Sequence, residues 1–410
     1  MKKVLLVLSL FLLATFAAFA TGSQEPKAAG PVSLSMWTQE SENENSYQYV
    51  QSLIAGYVKD HPTVAIHLLQ KGTEALRQDF LTASLAGQAP DFLWTVSDHA
   101  GPFTAAGVIQ PVGKLFDLSK YVASAVDAVR LDGQEWGVPI SNGNELMLLY
   151  NKSLVPTPPQ NTDELIKMGR ALTKDGVYGL VFNQVEPFWL VPWLGGFGGK
   201  VFADDGTTPT LNTPQMVSTL QFLYDLKYKY QIIPKESDYA AMDSLFKTGK
   251  AAMIINGDWS LGEYQKLLGD MLGVARIPKV SATGLWPAPY TSGKFFMLSK
   301  DLAGDKLAVV KDFVNWATDK DNQLTMVKDL ARLPALKVAL SDPLITSDPI
   351  LKGAAEQMTV GTPMPIVVQM RAVWDAMKPE MNAVLSSSES PAAAAAKMQQ
   401  AAVTGIQNMH

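Results

Sequence analysis

Val32-Ser33-Leu34-Ser35-Met36 alternates apolar and polar side chains, the period of a strand with one covered face. After the polar run Thr38 to Ser46, the residues Tyr47, Val50, Ile54, Tyr57 and Val58 recur at helical spacing until Asp60-His61-Pro62 stops them. Val64, Ile66 and Leu68 alternate again, Leu76, Phe80, Leu81 and Leu85 mark a second helix ending near Gly87, and Phe92-Leu93-Trp94-Thr95-Val96 is the continuous apolar run of a strand covered on both faces. Strand, helix, strand, helix, strand in that order predicts an α/β domain on a largely parallel sheet, with Trp37 at the end of its first strand.

Further along the chain the same vocabulary recurs without a fixed period. Asn212-Thr213-Pro214 offers a helix N-cap with Pro at the first helical position, followed by Val217, Leu220, Leu223 and Leu226. Ala251-Ala252-Met253-Ile254-Ile255 and Phe295-Phe296-Met297-Leu298 read as buried strands; Leu307 to Ala317 and the Ala-rich stretch from Pro391 to Gln400 read as helices. The 410 residues suffice for two domains. No long Gly/Ser linker divides the chain, so two domains must be joined by short crossings inside structured segments.

Composition removes whole classes of function. The net charge of −5 gives no footprint for nucleic acid, and the absence of Cys excludes disulfides, thiolate metal sites and cysteine nucleophiles. Lys2-Lys3, the apolar run Val4 to Phe19 and Ala18-Phe19-Ala20 form a secretory signal peptide over residues 1–20, the alternative being an uncleaved N-terminal anchor. Residues 21–30 read as a flexible lead-in. No other stretch reaches the ~20 apolar residues of a membrane span, so the exported product is expected to be soluble, periplasmic or otherwise extracytoplasmic.

In an open α/β sheet ligands bind beyond the carboxyl ends of the strands. Trp37 to Glu42, Ser97-Asp98-His99 and Asn256-Gly257-Asp258-Trp259 occupy those places. Aromatics beside carboxylates and amides suit a sugar, whose C–H face stacks on a ring while its hydroxyls are hydrogen-bonded. Any single Trp there could instead be ordinary packing. Four His and no Cys leave no HExxH, and there is no GxSxG or P-loop. Gly195-Gly196-Phe197-Gly198-Gly199 reads as a loop. Glu40, Asp98 and Glu186 could supply a glycosidase pair, but nothing in the sequence places two of them together. No cofactor or metal site is expected.

Phe246-Lys247-Thr248-Gly249-Lys250-Ala251-Ala252-Met253-Ile254-Ile255-Asn256-Gly257-Asp258-Trp259 resembles the signature of the maltose/maltodextrin-binding proteins, the extracellular solute-binding subunits of ABC sugar importers. Gly133 to Ile140, Tyr150-Asn151-Lys152-Ser153-Leu154-Val155-Pro156 and Gly361 to Pro365 with Trp374 resemble further segments of that family in the same order. The resemblance implies a periplasmic-binding-protein-like α/β fold, two α/β lobes around a hinge with a ligand cleft between them. It places the crossings near Asn142–Leu146, Tyr290–Gly293 and Leu333–Pro334. The first lobe would comprise 31–142 plus 293–332 and the second 143–292 plus 333–410.

It also implies a binding protein, not an enzyme. That protein would be a monomer that captures maltose, maltotriose or a maltodextrin by hinge closure and delivers it to ABC permease subunits. Another oligosaccharide such as trehalose is the alternative, with a secreted glycoside hydrolase or a structural surface protein more distant. Carried over by position, Phe188, Trp259 and Trp374 would stack on sugar rings, with Tyr290 at the hinge and Trp37 near the cleft floor. Glu40, Ser41, Glu42, Asp98 and Glu186 would hold hydroxyls. Three departures concern specificity: Asn144 where the family commonly has Glu, the position near Ser41 where a Lys is expected, and His99 where some members have Arg. Neutral groups hydrogen-bond more weakly than charged ones, so Asn144 implies a weaker hydroxyl-reading shell.

Overall fold

The computed structural model describes residues 31–409; the signal segment and lead-in lie outside the described residues. Two sheets organise the chain. In the first, Val32–Thr38 pairs in parallel with Val64–Gln70 on one side and Phe92–Val96 on the other, as the strand and helix order predicted, but three antiparallel pairings make the sheet mixed and not largely parallel. Lys294–Ser299 joins antiparallel to Phe92–Val96 and is itself flanked by Ile109–Gln110 and Val138–Pro139. A segment from late in the chain thus completes the sheet begun at Val32. The helices Asn45–Asp60 and Gly304–Ala317 cover one face, and Thr73–Leu85 covers the other through Leu76 and Phe80.

The second sheet runs Leu272–Ala275, Leu146–Asn151, Ala251–Gly257, Tyr178–Val181, with only the last pair parallel. All seven residues of Ala251–Gly257 are buried, as its unbroken apolar run requires. Thr213 caps Pro214–Tyr228 by accepting the Met216 N–H at 3.2 Å, with Pro214 at the first helical position. The Ala-rich segment forms Pro391–Gln407, packed along Gln369–Leu385. Gly195 and Gly196, expected in a loop, instead end the short helix Val191–Gly196, where a Cβ on either would press on Ala288 or Val280.

Between the sheets the chain crosses in three places that hydrogen-bond to one another. The Asn142 N–H donates to the Leu333 carbonyl (3.0 Å), and Gly143 and Ser292 exchange backbone bonds at 3.0 and 2.6 Å. Ser141 pairs with Pro334 as a bridge. The molecule is therefore two α/β lobes joined by three adjacent strands of connection. Among the described residues no helix is long and apolar enough to cross a membrane.

Candidate functional site

Three short 3-10 turns carry the central side chains, each immediately beyond a strand or its exit loop. Ser97–His99 follows Phe92–Val96 and presents Asp98; Asp258–Ser260 follows Ala251–Gly257 and presents Trp259; Pro187–Trp189 presents Phe188. Gly257 lets the Trp259 ring lie against the backbone, since a Cβ there would sit inside the indole. Asn256 stiffens the same turn, donating to Tyr264 Oη (2.9 Å) while accepting the Gly257 N–H (2.9 Å).

The aromatics expected at separate positions form one cluster. The Phe188 ring lies 6.3 Å from Trp259 and 6.4 Å from Trp374, and Tyr290 meets Trp374 edge-on at 6.1 Å. Trp374 comes from Gln369–Leu385. Two members were not anticipated: Trp189 (6.2 Å from Trp259) and Tyr239 (6.1 Å from Trp189). Tyr239 is fixed as the first residue of a helix whose cap, Asp238, accepts the Ala241 N–H at 2.8 Å. Such offset and edge-on pairs lock ring orientation. Phe188, Trp259 and Trp374 are each only partly buried.

Facing the cluster are charged groups of the first lobe. A pocket between the lobes is lined by Glu74, Arg77, Asp98 and Pro102 on one side and Met370, Arg371, Trp374 and Asp375 on the other. Asp98 is pushed up to about 7, chiefly by desolvation and then by the Glu74 charge. A second link runs across the lobes: Trp259 Nε1 donates to Tyr239 Oη (2.9 Å), which donates to Glu44 Oε1 (3.0 Å). Desolvation, then the neighbouring Glu40 charge, raises Glu44 to about 7. At Gly101 the lobes meet backbone to backbone: a Cβ there would overlap the Ile366 carbonyl oxygen.

Several sequence-predicted residues are placed differently from expectation. Glu40 does not offer its carboxylate to the cleft. It is 3% exposed and held bidentately by Arg332 (Nη1–Oε1 2.8 Å, Nη2–Oε2 3.0 Å), with Trp94 Nε1 also donating to it at 2.9 Å. That guanidinium, assisted by Lys294, outweighs desolvation and drives the Glu40 carboxyl far below the usual carboxylate range. His99 is fully buried, its Nδ1 2.7 Å from Thr95 Oγ1 and its ring beside Phe103. Burial lowers it to about 3, so the imidazole is neutral.

Trp37 is the penultimate residue of its strand, as expected, and its ring packs edge-on against Phe80 beneath the Lys71 ammonium, 4.6 Å from the ring centre. Glu42 is exposed and Ser41 half-buried in the turn before Asn45–Asp60. Glu186 lies next to Phe188 in an ion pair with Lys378 at 2.5 Å. Asn144 sits in the left-handed region at φ 61°, its Oδ1 accepting from Lys294 Nζ at 2.9 Å. Lys294 is also 5.7 Å from the Trp259 ring centre. The neighbouring Glu145 and Asp258 carboxyls flank Gly143; desolvation first, then Asp258, raises Glu145 well above the carboxylate range.

Among the described residues no group of three or more His, Cys, Asp or Glu is arranged to hold a metal ion. The arrangement is an aromatic floor opposed by polar groups across a hinge.

Residues 52–353 match the family described as bacterial extracellular solute-binding protein. A maltose/maltodextrin-binding domain from Bdellovibrio bacteriovorus, solved bound to maltotriose, superposes with a TM-score of 0.88 at 35% identity, covering 92% of this chain and 100% of that one. The maltotriose-binding protein of Pyrococcus abyssi is 29% identical over 350 residues, 83% of this chain and 75% of that protein. The galactooligosaccharide-binding protein of Bacillus subtilis is 23% identical over 401 residues, 93% of each. The chain belongs to the family of bacterial extracellular solute-binding proteins that includes the maltose/maltodextrin-binding proteins, a family of ligand-capturing proteins and not of enzymes.

Proposed function

We propose that the protein captures a malto-oligosaccharide (maltose, maltotriose or a short maltodextrin) in the cleft, closes on it about the three crossings, and presents it to the permease subunits of an ABC importer. The observation that carries this reading is the single aromatic cluster formed by Phe188, Trp259, Trp374 and Tyr290, of which Trp374 lines the inter-lobe pocket opposite Asp98 of the other lobe. Rings supply stacking surface for pyranose C–H faces, and the facing carboxylate and guanidinium groups supply acceptors and donors for hydroxyls. The similarity to a maltotriose-bound domain and to a maltotriose-binding protein supports the same ligand class. On this reading the lobes divide as 31–142 plus 293–332 and 143–292 plus 333–410, and Trp259, Trp374, Phe188, Asp98, Glu186 and Asn144 touch the sugar. Glu40 and His99 serve the fold instead.

A galacto-oligosaccharide is the second reading, favoured by the Bacillus subtilis relative that matches along 93% of both chains. Titration calorimetry against maltose, maltotriose, trehalose, cellobiose and a β-galacto-oligosaccharide separates them. Binding of maltotriose without release of new reducing ends is the expected result. Failure to bind any α-glucoside refutes the malto-oligosaccharide reading, and turnover refutes the transport reading altogether.

A further inference from the structure

Arg77, on the helix Thr73–Leu85, is a buried cation whose hydrogen bonding is incomplete. It is 5% exposed, and its Nε and Nη2 both donate to the same oxygen of Glu74, at 3.0 and 2.7 Å. Its Nη1 is sealed from solvent and has no acceptor among the described residues. A guanidinium is rigid and planar, so pinning two nitrogens on Glu74 fixes the direction of the third. A charged donor left unmatched in the interior is costly, which suggests an acceptor that arrives with a ligand.

The surroundings fit that acceptor. Arg77 lines the inter-lobe pocket beside Asp98 and opposite Trp374. Of the other charges there, Arg371 is paired with Asp375 (Nε–Oδ2 3.3 Å). The Asp98 side chain has no side-chain hydrogen bond contributing to its state. A carboxylate that no side chain engages and a donor without an acceptor therefore line the same pocket as Trp374. Adjacent hydroxyls of a sugar ring match them: one donates to the carboxylate, and its neighbour accepts from the guanidinium in a charge-assisted bond.

We propose that Arg77 is a ligand-contacting, specificity-determining residue that, with Asp98, reads a pair of adjacent ring hydroxyls of the sugar lying on Trp374. Glu74 is its positioning partner. The inference rests on the oligosaccharide reading above and adds to it a first-lobe donor beside Asp98.

The test compares the full protein with its Arg77→Met and Arg77→Lys variants by calorimetry, using maltotriose and its monodeoxy analogues. Maltotriose binding by the unmodified protein is the control that keeps this result separate from failure of the malto-oligosaccharide reading. The unmodified protein should lose on the order of tenfold in affinity for at least one analogue. Arg77→Met should bind that analogue and maltotriose alike. Arg77→Lys, which keeps the charge and tolerates the site if the apolar variant misfolds, should lose most of the same discrimination because it lacks the planar fork. If both folded variants keep the deoxy pattern, whatever their affinity, the proposal is overturned. It is equally overturned if Asp375→Asn reproduces their loss with the pattern intact, which would assign Arg77 to a contact with the facing helix.

Discussion

Gly101 offers a way to separate closure from stability. It lies in the helix Ala100–Ala105, where alanine is the better residue by up to about 1 kcal/mol. Its α-carbon faces the backbone of the opposite lobe: an added Cβ would stand 3.0 Å from the Ile366 carbonyl carbon and 3.1 Å from that of Val367, besides overlapping the Ile366 oxygen. Relaxed carbon contacts need about 3.5–4.0 Å, and the overlapped Ile366 oxygen must retreat further than either carbon, so the lobes must stay roughly 1 Å or more further apart at this point. Backbone cannot swing aside as a side-chain tip can. Forced overpacking of this kind costs about 1–3 kcal/mol, paid only in the closed state. Gly101→Ala should therefore weaken maltotriose by roughly 5- to 150-fold, while the melting temperature of the unliganded protein holds or rises. Calorimetry and thermal melting measure the two quantities separately. Unchanged affinity would show that this contact is not made in the ligand complex. A parallel fall in the unliganded melting temperature would show that Gly101 serves the fold of its own lobe.

Three further outcomes are expected. Trp259→Ala and Trp374→Ala should each weaken binding by about 1–3 kcal/mol with the fold intact; a drop of several degrees in melting temperature with affinity unchanged would make them packing residues. Glu40→Gln leaves the buried Arg332 without its counter-charge, and should cost about 3–5 kcal/mol of unfolding free energy in a denaturant titration. A loss under 1 kcal/mol would contradict the inward placement of Glu40. Glu44 is raised from 4.5 to about 7 where it is buried beside Glu40 and accepts from Tyr239 of the other lobe, so if parting the lobes returns it to water, closure takes up a proton: the favourable contribution is then complete below about 4.5 and is lost as pH rises to about 7. Affinity should decline across that window and the decline should shrink in Glu44→Gln; an equally steep profile in the variant would rule out Glu44 as its source.

The first sheet and the place of Trp259 were legible because their signals are local, whereas Phe188 and Trp374 were placed by the resemblance to the family. Alternation at Val32 to Met36 and unbroken apolar runs at Phe92 and Ala251 report how many faces of a strand are covered, and side chains just beyond those strands fall at the sheet's edge whatever the loops do. The polar half was not legible in the same way. Whether Glu40 points inward depends on Arg332, 292 positions later, and nothing near Glu40 announces that partner. His99 is adjacent to Asp98 but turned oppositely by a single 3-10 turn, so one side chain meets the pocket and the other the core. Glu44 and Tyr239 become partners only when two lobes are brought together. One signal was available: Tyr239 follows Asp238, a helix cap, which fixes an aromatic at a helix start.

This difference between floor and polar shell also bears on where binding energy would come from. Glu186 is paired with Lys378, Asn144 accepts from Lys294, and Glu44 accepts from Tyr239. A sugar hydroxyl that engages any of these must displace or share a bond already made, so the net gain is the small difference between two hydrogen bonds, about 0.5–1.5 kcal/mol each. The partly buried rings of Phe188 and Trp374 carry no such hydrogen bond, and over Trp259 stands only the Lys294 ammonium, 5.7 Å from the ring centre; stacking on them removes apolar surface from water. On the proposed reading, the floor therefore sets how tightly an oligosaccharide is held and the polar shell sets which one. Within that shell the exception is Arg77, whose Nη1 has no acceptor among the described residues, and with Asp98 beside it in the same pocket it should discriminate between sugars more sharply than any residue whose partners are already in place.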